Sequence, residues 1–292
     1  LANLAYGVTT TRDPQTATTD VLTYADRVTA GMTLGPRIYS TGPGVFSGEG
    51  IRSQEHASDV LKRYSEYYRT QTIKMYMAGN RQQRQWIITA AREQELMPTT
   101  EGGLDFKYNL EMMIDGYPGQ EHSLPITPLY KDVVEFVAHT GMFYTPTMLV
   151  AYGGPWAENY FYARENAYHD EKLQSFTPYE ELAGKARRRG AGWFMEEEYN
   201  FPRLAKVVSD IVNAGGKAGV GSHGQLQGLG YHWELWAMQS GGLTEHQALR
   251  VATLFGAEAI GVQNDVGSIE PGKLADLVIF EQSPLDGMRN TN

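Results

Sequence analysis

Residues 215–235 read GGKAGVGSHGQLQGLGYHWEL, residues 241–263 read GGLTEHQALRVATLFGAEAIGVQ, and residues 266–285 read VGSIEPGKLADLVIFEQSPL. Lys217 to Ser222 is a short strand-like run that ends on a polar residue, His223, held between Ser222 and Gly224. Two helical periods follow, Trp233 to Gln239 and Thr244 to Ala259, each with apolar residues at helical spacing. Ala275 to Phe280 then alternates in the manner of a separate β-element. One short strand, a helical layer and a late β-segment, in that order, describe the end of a layered α/β domain.

The same alternation runs upstream. Strand candidates are Val8 to Thr11, Arg37 to Thr41, Thr72 to Tyr76, Met97 to Glu101, Glu121-His122 and Phe143 to Thr147. Helical periods cover Thr19 to Ala30, Ser53 to Tyr67, Arg81 to Gln94, Leu104 to Ile114, Leu129 to Ala138 and Pro202 to Asn213. Ser53 is placed to cap its helix, and Gly116, Gly141 and Gly215 to end theirs. Strand followed by helix, about seven times over, implies a parallel sheet with crossover helices, and the short even spacing favours a closed (β/α)8 TIM barrel over an open sheet. The expected architecture is therefore a distorted TIM barrel over residues 1–262 whose first strand lies before Leu1. Residues 263–292 would supply C-terminal strands of a small composite β-sandwich. Leu1 to Tyr6 reads as the last turns of a helix ended by Gly7, with no start methionine or signal peptide. The expectation is a piece of a longer protein whose missing part lies upstream.

Residues 151–200 interrupt the rhythm with Tyr152, Trp156, Tyr160, Phe161, Tyr162, Tyr168, Phe176, Tyr179, Trp193, Phe194 and Tyr199. A connection of this length is either a lid over the site or a helical excursion packed on the barrel. A hydrophobic content of 41 % and a charged content of 20 % are those of a globular domain. The net charge of −9 opposes a grip on nucleic acid or anionic lipid, and no run approaches the ~18 apolar residues of a membrane span. With no cysteine, disulfides, thiolate metal sites and a cysteine nucleophile are excluded, while the compartment stays open.

Catalytic groups of a β/α barrel gather at the C-terminal ends of its strands. That rule puts Lys74, Glu101, His122, Thr145 and His223 at one mouth, with Tyr76 and Tyr152 beside them as substrate contacts. A metal hydrolase needs such a ring of imidazoles and carboxylates. Each residue has a plainer alternative. Lys74 would bury its stem and reach a carboxylate such as Glu101; Glu101 would favour the following helix N-terminus; His122 and His223 would be satisfied by neighbours. His232, just past the last strand, either lines the pocket and orients His223 or is structural.

The run Gly267-Ser268-Ile269-Glu270-Pro271-Gly272-Lys273-Leu274-Ala275-Asp276-Leu277-Val278 resembles, nearly letter for letter, the closing motif of the imidazolonepropionase-like amidohydrolases. The resemblance extends roughly from Gly7 to Leu285. It implies a metal-dependent hydrolase of cyclic amide or peptide-like C–N bonds, in which a metal-activated water attacks a carbonyl. The implied metal ligands are Glu101, His122 and His223, with Lys74, carboxylated in many binuclear relatives, as a bridge between two ions. His223 and Lys74 are the implied catalytic residues, and Thr145 and His232 join Tyr76 and Tyr152 as the substrate contacts. The implied cofactor is one or two divalent ions, zinc before manganese or iron. His122 sits where the family carries a Glu-His pair, and His232 falls in a family His-x-Glu-Leu pattern. The segments Gly221-Ser222-His223-Gly224-Gln225 and Thr99-Thr100-Glu101-Gly102-Gly103 are similar to the branch that carries a TolB-like β-propeller upstream. Two departures stand out. His223 occupies the position of the family's Gly-Thr-Asp aspartate, and the His-x-His pair of the first strand is absent from this chain. These departures motivate a rival, a non-catalytic protein that binds a peptide or sugar on the same scaffold, and lactonase or phosphotriesterase chemistry is a third reading. The expected partners are a small-molecule or peptide substrate and, through exposed strand edges, the upstream region or a second copy.

Overall fold

The computed structural model describes residues 1–150, 154–189 and 194–292. Among the described residues eight short strands form: β1 (Thr10–Asp13), β2 (Arg37–Ser40), β3 (Val45–Phe46), β4 (Thr72–Tyr76), β5 (Met97–Glu101), β6 (Gly119–Glu121), β7 (Phe143–Thr145) and β8 (Lys217–Ala218). Every ladder is parallel. β1 and β2 make a two-stranded sheet, and β3 to β8 make a six-stranded sheet in strict chain order. Parallel neighbours require crossovers, and helices supply them. α1 (Ala2–Ala5) precedes β1, and the helices that follow in chain order are α2 (Asp20–Thr29), α3 (Gln54–Lys62), α4 (Arg81–Glu93), α5 (Phe106–Ile114) and α6 (Lys131–His139). After β7 come α7 (Ala157–Arg164), α8 (Glu171–Phe176), α9 (Tyr179–Arg189) and α10 (Phe201–Asn213). After β8 come α11 (Leu229–Gln239), α12 (Glu245–Arg250) and α13 (Gly256–Ala259).

Local chemistry explains the boundaries. Ser53 Oγ accepts the His56 N–H, as its position suggests, and Asn80 and Gln83 form a reciprocal capping box at the start of α4. The run from β2 to β3 breaks at Gly42-Pro43-Gly44, where Gly42 has φ +65° and Pro43 lacks an N–H for the ladder. The Tyr64 hydroxyl donates to the Pro43 carbonyl at 2.5 Å and holds the break in place. The chain therefore passes from one sheet to the other within a single strand-like run, which is why seven sequence units yield eight strands.

Among the described residues no ladder joins β8 to β1, and the expected barrel, whose first strand lies before Leu1, is not shown to close. Side chains bridge the two ends instead. Asn3 donates to Gln227 Oε1 and accepts from the Gly228 N–H, both at 2.8 Å. His232 on α11 bonds the Tyr6 carbonyl at 2.8 Å. Across the interior, Arg12 of β1 forms an ion pair with the buried Glu121 of β6.

The C-terminal β-element, expected to pair with strands from upstream, has no strand partner among the described residues. No strand forms over residues 274–280, because no described strand lies alongside to share a ladder, and an isolated strand is unstable in water. The segment runs instead past the N-terminal turns, with Val278 against Gly7 and Asp276 paired to Arg37. Ile269, Leu277 and Ile279 are left exposed. The boundary between residues 262 and 263 falls inside a small apolar cluster of Ala257, Ile260, Val262 and Val266. Part of the insertion's aromatics pack inward, where Phe161 of α7 stacks on Trp233 of α11 with centroids 5.4 Å apart and Tyr160 meets Phe201 of α10 edge-on, while Trp156, Phe176 and Tyr179 stay exposed. Tyr152 and Trp193 lie outside the described residues. No helix is long and apolar enough to cross a membrane among the described residues.

Candidate active site at the sheet's C-terminal mouth

Register builds the site. Lys74 of β4 pairs with Thr99 of β5, so Glu101 lies one pleat further along on the same face. The lysine stem spans that step and puts Nζ 2.6 Å from Glu101 Oε2. Lys74 is 5 % exposed, so its ammonium depends on this partner. Thr145 of β7 faces Glu121 of β6, and its carbonyl accepts the His122 N–H at 2.8 Å. His122 thereby leaves β6 with φ +70°, and its Nε2 stands 3.4 Å from Glu101 Oε1. Its Nδ1 lies 2.5 Å from Thr147 Oγ1. His223 has φ +59°, and its ring centroid is 5.4 Å from that of His122. Gly221 allows the chain to approach so closely: a Cβ there would lie 2.5 Å from Thr145 Cγ2 and 2.8 Å from Thr147 Cγ2.

Charge and burial tune these groups. Burial alone would raise Glu101, but the His122 hydrogen bond and the Lys74 ammonium outweigh it and hold its carboxyl at about 2. His223 is open to solvent on one side. Desolvation of the rest of the ring, then the nearby His122 and Lys74 charges, push it below the usual imidazole range. Burial raises Asp13, only partly offset by Ser40, the Gln15 N–H, Lys74 and Arg12.

Lys74, Glu101, His122 and His223, singled out from the sequence, are thus brought together. Lys74, expected either to bridge metals or to pair with Glu101, is seen paired with Glu101. Thr145 lies alongside through its backbone, and Tyr76 ends β4 with its ring edge-on to Phe46 at 5.8 Å. His232 is occupied elsewhere: its two nitrogens bond Thr291 Oγ1 at 3.0 Å and the Tyr6 carbonyl, and burial lowers its pKa to about 4. It joins the N-terminal turns to the C-terminal one rather than lining the mouth. Sequence reasoning missed Asp13, Arg12, Thr147 and Glu234. The first two were signalled by an Arg-Asp pair closing a threonine-rich strand. Glu234 on α11 is buried, and its two carboxyl oxygens accept the N–H groups of Met148 and Leu149 at 2.8 and 3.0 Å. Burial raises its pKa to about 8, against the lowering effect of those two donors.

The donor chemistry bears on a divalent ion. Two ligands bonded at about 2.0–2.1 Å in a tetrahedral shell lie roughly 3.3 Å apart. The His122–Glu101 gap of 3.4 Å matches that edge. Beyond this edge, no three His, Cys, Asp or Glu side chains among the described residues are drawn together as a metal cage. Glu101 and His122 thus offer one two-donor edge, with the His223 ring beside it.

The profile of the amidohydrolase family matches residues 1–291. A 5-methylthioadenosine/S-adenosylhomocysteine deaminase of Teredinibacter turnerae is 37 % identical over 62 residues, 21 % of this chain and 14 % of the relative. Such relatives are matched over less than a quarter of their own length, 14 % here and 20 % for a second deaminase, from Symbiobacterium thermophilum. Among solved structures, a Xaa-Pro dipeptidase with methionine in its active site superposes with a TM-score of 0.72 at 16 % identity, over 99 % of this chain and 73 % of that one. Phenylurea hydrolase B gives a TM-score of 0.67 at 16 % identity, over 99 % and 73 %. At these identities the structural likeness is one of fold.

Proposed function

The chain belongs to the amidohydrolase family, and from that premise we propose that the protein is a hydrolase of C–N bonds acting at the Lys74–Glu101–His122–His223 mouth. The observation that carries this reading is the convergence of Glu101 and His122 at 3.4 Å, with the His223 ring alongside, at the C-terminal ends of parallel strands. Glu101 and His122 would hold a divalent ion, zinc before manganese or iron, with His223 as the adjoining donor. A bound ion would supply Lewis acidity to polarise a substrate carbonyl. The chain's own groups do the rest. Lys74 keeps Glu101 ionised. His223, neutral near pH 7 because its pKa is lowered, accepts a proton at the open side of the mouth. Tyr76 offers an aromatic edge to the substrate. The substrate class is a cyclic amide or a peptide-like bond. A dipeptidase and a phenylurea hydrolase share the fold, and deaminases share short stretches of sequence.

A second reading, a non-catalytic binder, is favoured by one feature: an imidazole at position 223 where the family carries its aspartate. Elemental analysis of the purified protein, followed by a panel of dipeptides, N-acyl amino acids and cyclic amides, separates the two. Bound metal with hydrolysis that disappears in His122→Ala upholds the enzyme. Retained metal and unchanged turnover in that variant would sink the site assignment.

A further inference from the structure

Register sets one layer of side chains at the mouth. Phe46 of β3 pairs with Tyr76 of β4, so the two lie level. Met75 pairs with Thr100 of β5, which brings Tyr76 level with Glu101. Glu101 pairs in turn with Glu121 of β6, and Glu121 with Thr145 of β7. Side chains two residues apart share a face, so Tyr76 stands on the Lys74 side of the sheet, one pleat nearer the mouth. The layer therefore has an aromatic end, Phe46 and Tyr76, and a polar end that begins at Glu101, one strand spacing of about 4.8 Å from Tyr76. The two rings meet edge to face, with centroids 5.8 Å apart and planes at 87°. Gly44 seats the first of them, since a Cβ there would lie 2.8 Å from Phe46 Cε2. Both rings are only half-buried. The structural tyrosines of this fold end on a hydrogen bond: the hydroxyls of Tyr64, Tyr117 and Tyr231 donate to the carbonyls of Pro43, Arg84 and Ala252, and that of Tyr144 accepts the Leu124 N–H. The Tyr76 hydroxyl makes no hydrogen bond among the described residues. Tyr76 is thus neither sealed in the core nor anchored by its polar end, yet its ring is held in a fixed orientation beside the site.

We propose that Phe46 and Tyr76 form a specificity subsite that receives an aromatic group carried by the substrate, next to the bond placed at Glu101 and His122. The assignment rests on the proposed function for its location and adds the class of substrate: amides that carry a ring within one side chain's reach of the scissile bond. A third ring set against this pair gains edge-to-face contacts beyond the area it buries, which an aliphatic or amide side chain in the same place forgoes.

The test is binding, followed by NMR on the methyl signal of Met77, which adjoins Tyr76 and is 55 % exposed. The signal is assigned by its loss in Met77→Leu. The probes are N-acetylphenylalanine amide, N-acetylalanine amide and N-acetylglutamine amide, which differ only in the side chain. The phenylalanine probe should bind about tenfold more tightly than the other two and shift the signal most. Phe46→Ala should abolish that preference, and Tyr76→Phe, which keeps the ring, should retain it. Equal affinities in the wild type, or a preference that survives in a folded Phe46→Ala, overturns the proposal. The wild-type comparison decides even if that variant does not fold. A ring preference that Phe46→Ala abolishes, in a protein that hydrolyses no amide, would uphold the subsite and defeat the hydrolase reading. Hydrolysis that vanishes in His122→Ala but shows no preference for ring-bearing amides would defeat the subsite and leave the hydrolase reading standing.

Discussion

Glu234→Gln should remove a pH dependence of stability that the wild type carries on the alkaline side of neutrality. The buried Glu234 carboxyl titrates at about 8 in the folded chain, against an ordinary value of 4.5. Between those values the native state holds a proton that the unfolded chain has released, so stability falls as pH rises. His232 works in the opposite sense: its pKa is lowered from 6.5 to about 4, so its contribution is complete above 6.5 and fades as pH falls towards 4. The two roughly offset each other from about pH 4.5 to 6.5, and above 6.5 only Glu234 is left. From pH 6.5 to 8, at about 1.36 kcal/mol per proton per unit, the wild type should lose roughly 1.5 kcal/mol. Urea unfolding at the two pH values reads this as a midpoint lower by about half a molar, for a slope near 3 kcal/mol per molar. Glutamine keeps the shape and one carbonyl but turns an amide group towards one of the two backbone donors. The variant should be less stable throughout, by about 1–3 kcal/mol for one unsatisfied N–H, yet flat between pH 6.5 and 8. A wild type with no alkaline decline, or a variant that declines equally, would refute the reasoning.

Lys74→Met should strand the Glu101 carboxylate beside apolar atoms, lower stability by about 3 kcal/mol and abolish turnover; a thermal melt within a degree or so of wild type, on the order expected of a surface change, would contradict a buried ion pair. Phe161→Ala should cost about 3–5 kcal/mol, read as a urea midpoint, because the ring stacks on Trp233 inside the core; a cost below about 1 kcal/mol would mean that the aromatic insertion is loosely held. Gly221→Ala should leave the fold intact but press a methyl group against Thr145 and Thr147, and the His122 ring signals should move. Unchanged signals would show that the close approach is irrelevant to the mouth.

The alternation of strands and helices was legible because β-branched runs such as Thr72-Ile73-Lys74 and stripes such as Trp86-Ile87-Ala90-Ala91 each have the period of one element. Four mouth residues were legible because a charged or imidazole side chain closing a buried run has few other places to go. Ring closure was not, since it depends on what lies between β8 and β1, and no local pattern near Leu1 or Lys217 encodes that. The C-terminal segment alternates correctly for a strand, but a strand is a relation between two segments and Ala275 to Phe280 has no partner among the described residues. Thr147 and Glu234 escaped because their roles run through contacts 25 and 86 residues apart in sequence, with neighbours whose types give no warning. The local pattern of His232 left a pocket role and a structural role open, and its two bonds run to the distant Thr291 and Tyr6.

Six described non-glycine residues have left-handed backbone: Arg69, Met77, Glu95, His122, Thr147 and His223. The same conformation has two histories. Arg69 and Glu95 sit just past helical turns, where glycine is the residue such an ending prefers. An engineer replacing them with glycine or asparagine should gain up to about 1 kcal/mol at each, without any change at the mouth. At His122, Thr147 and His223 the identical exchange would relieve the same torsion and delete the side chain that the torsion exists to aim. A library sorted for thermal resistance alone would therefore keep the first kind and, given no assay of turnover, would drift towards the second.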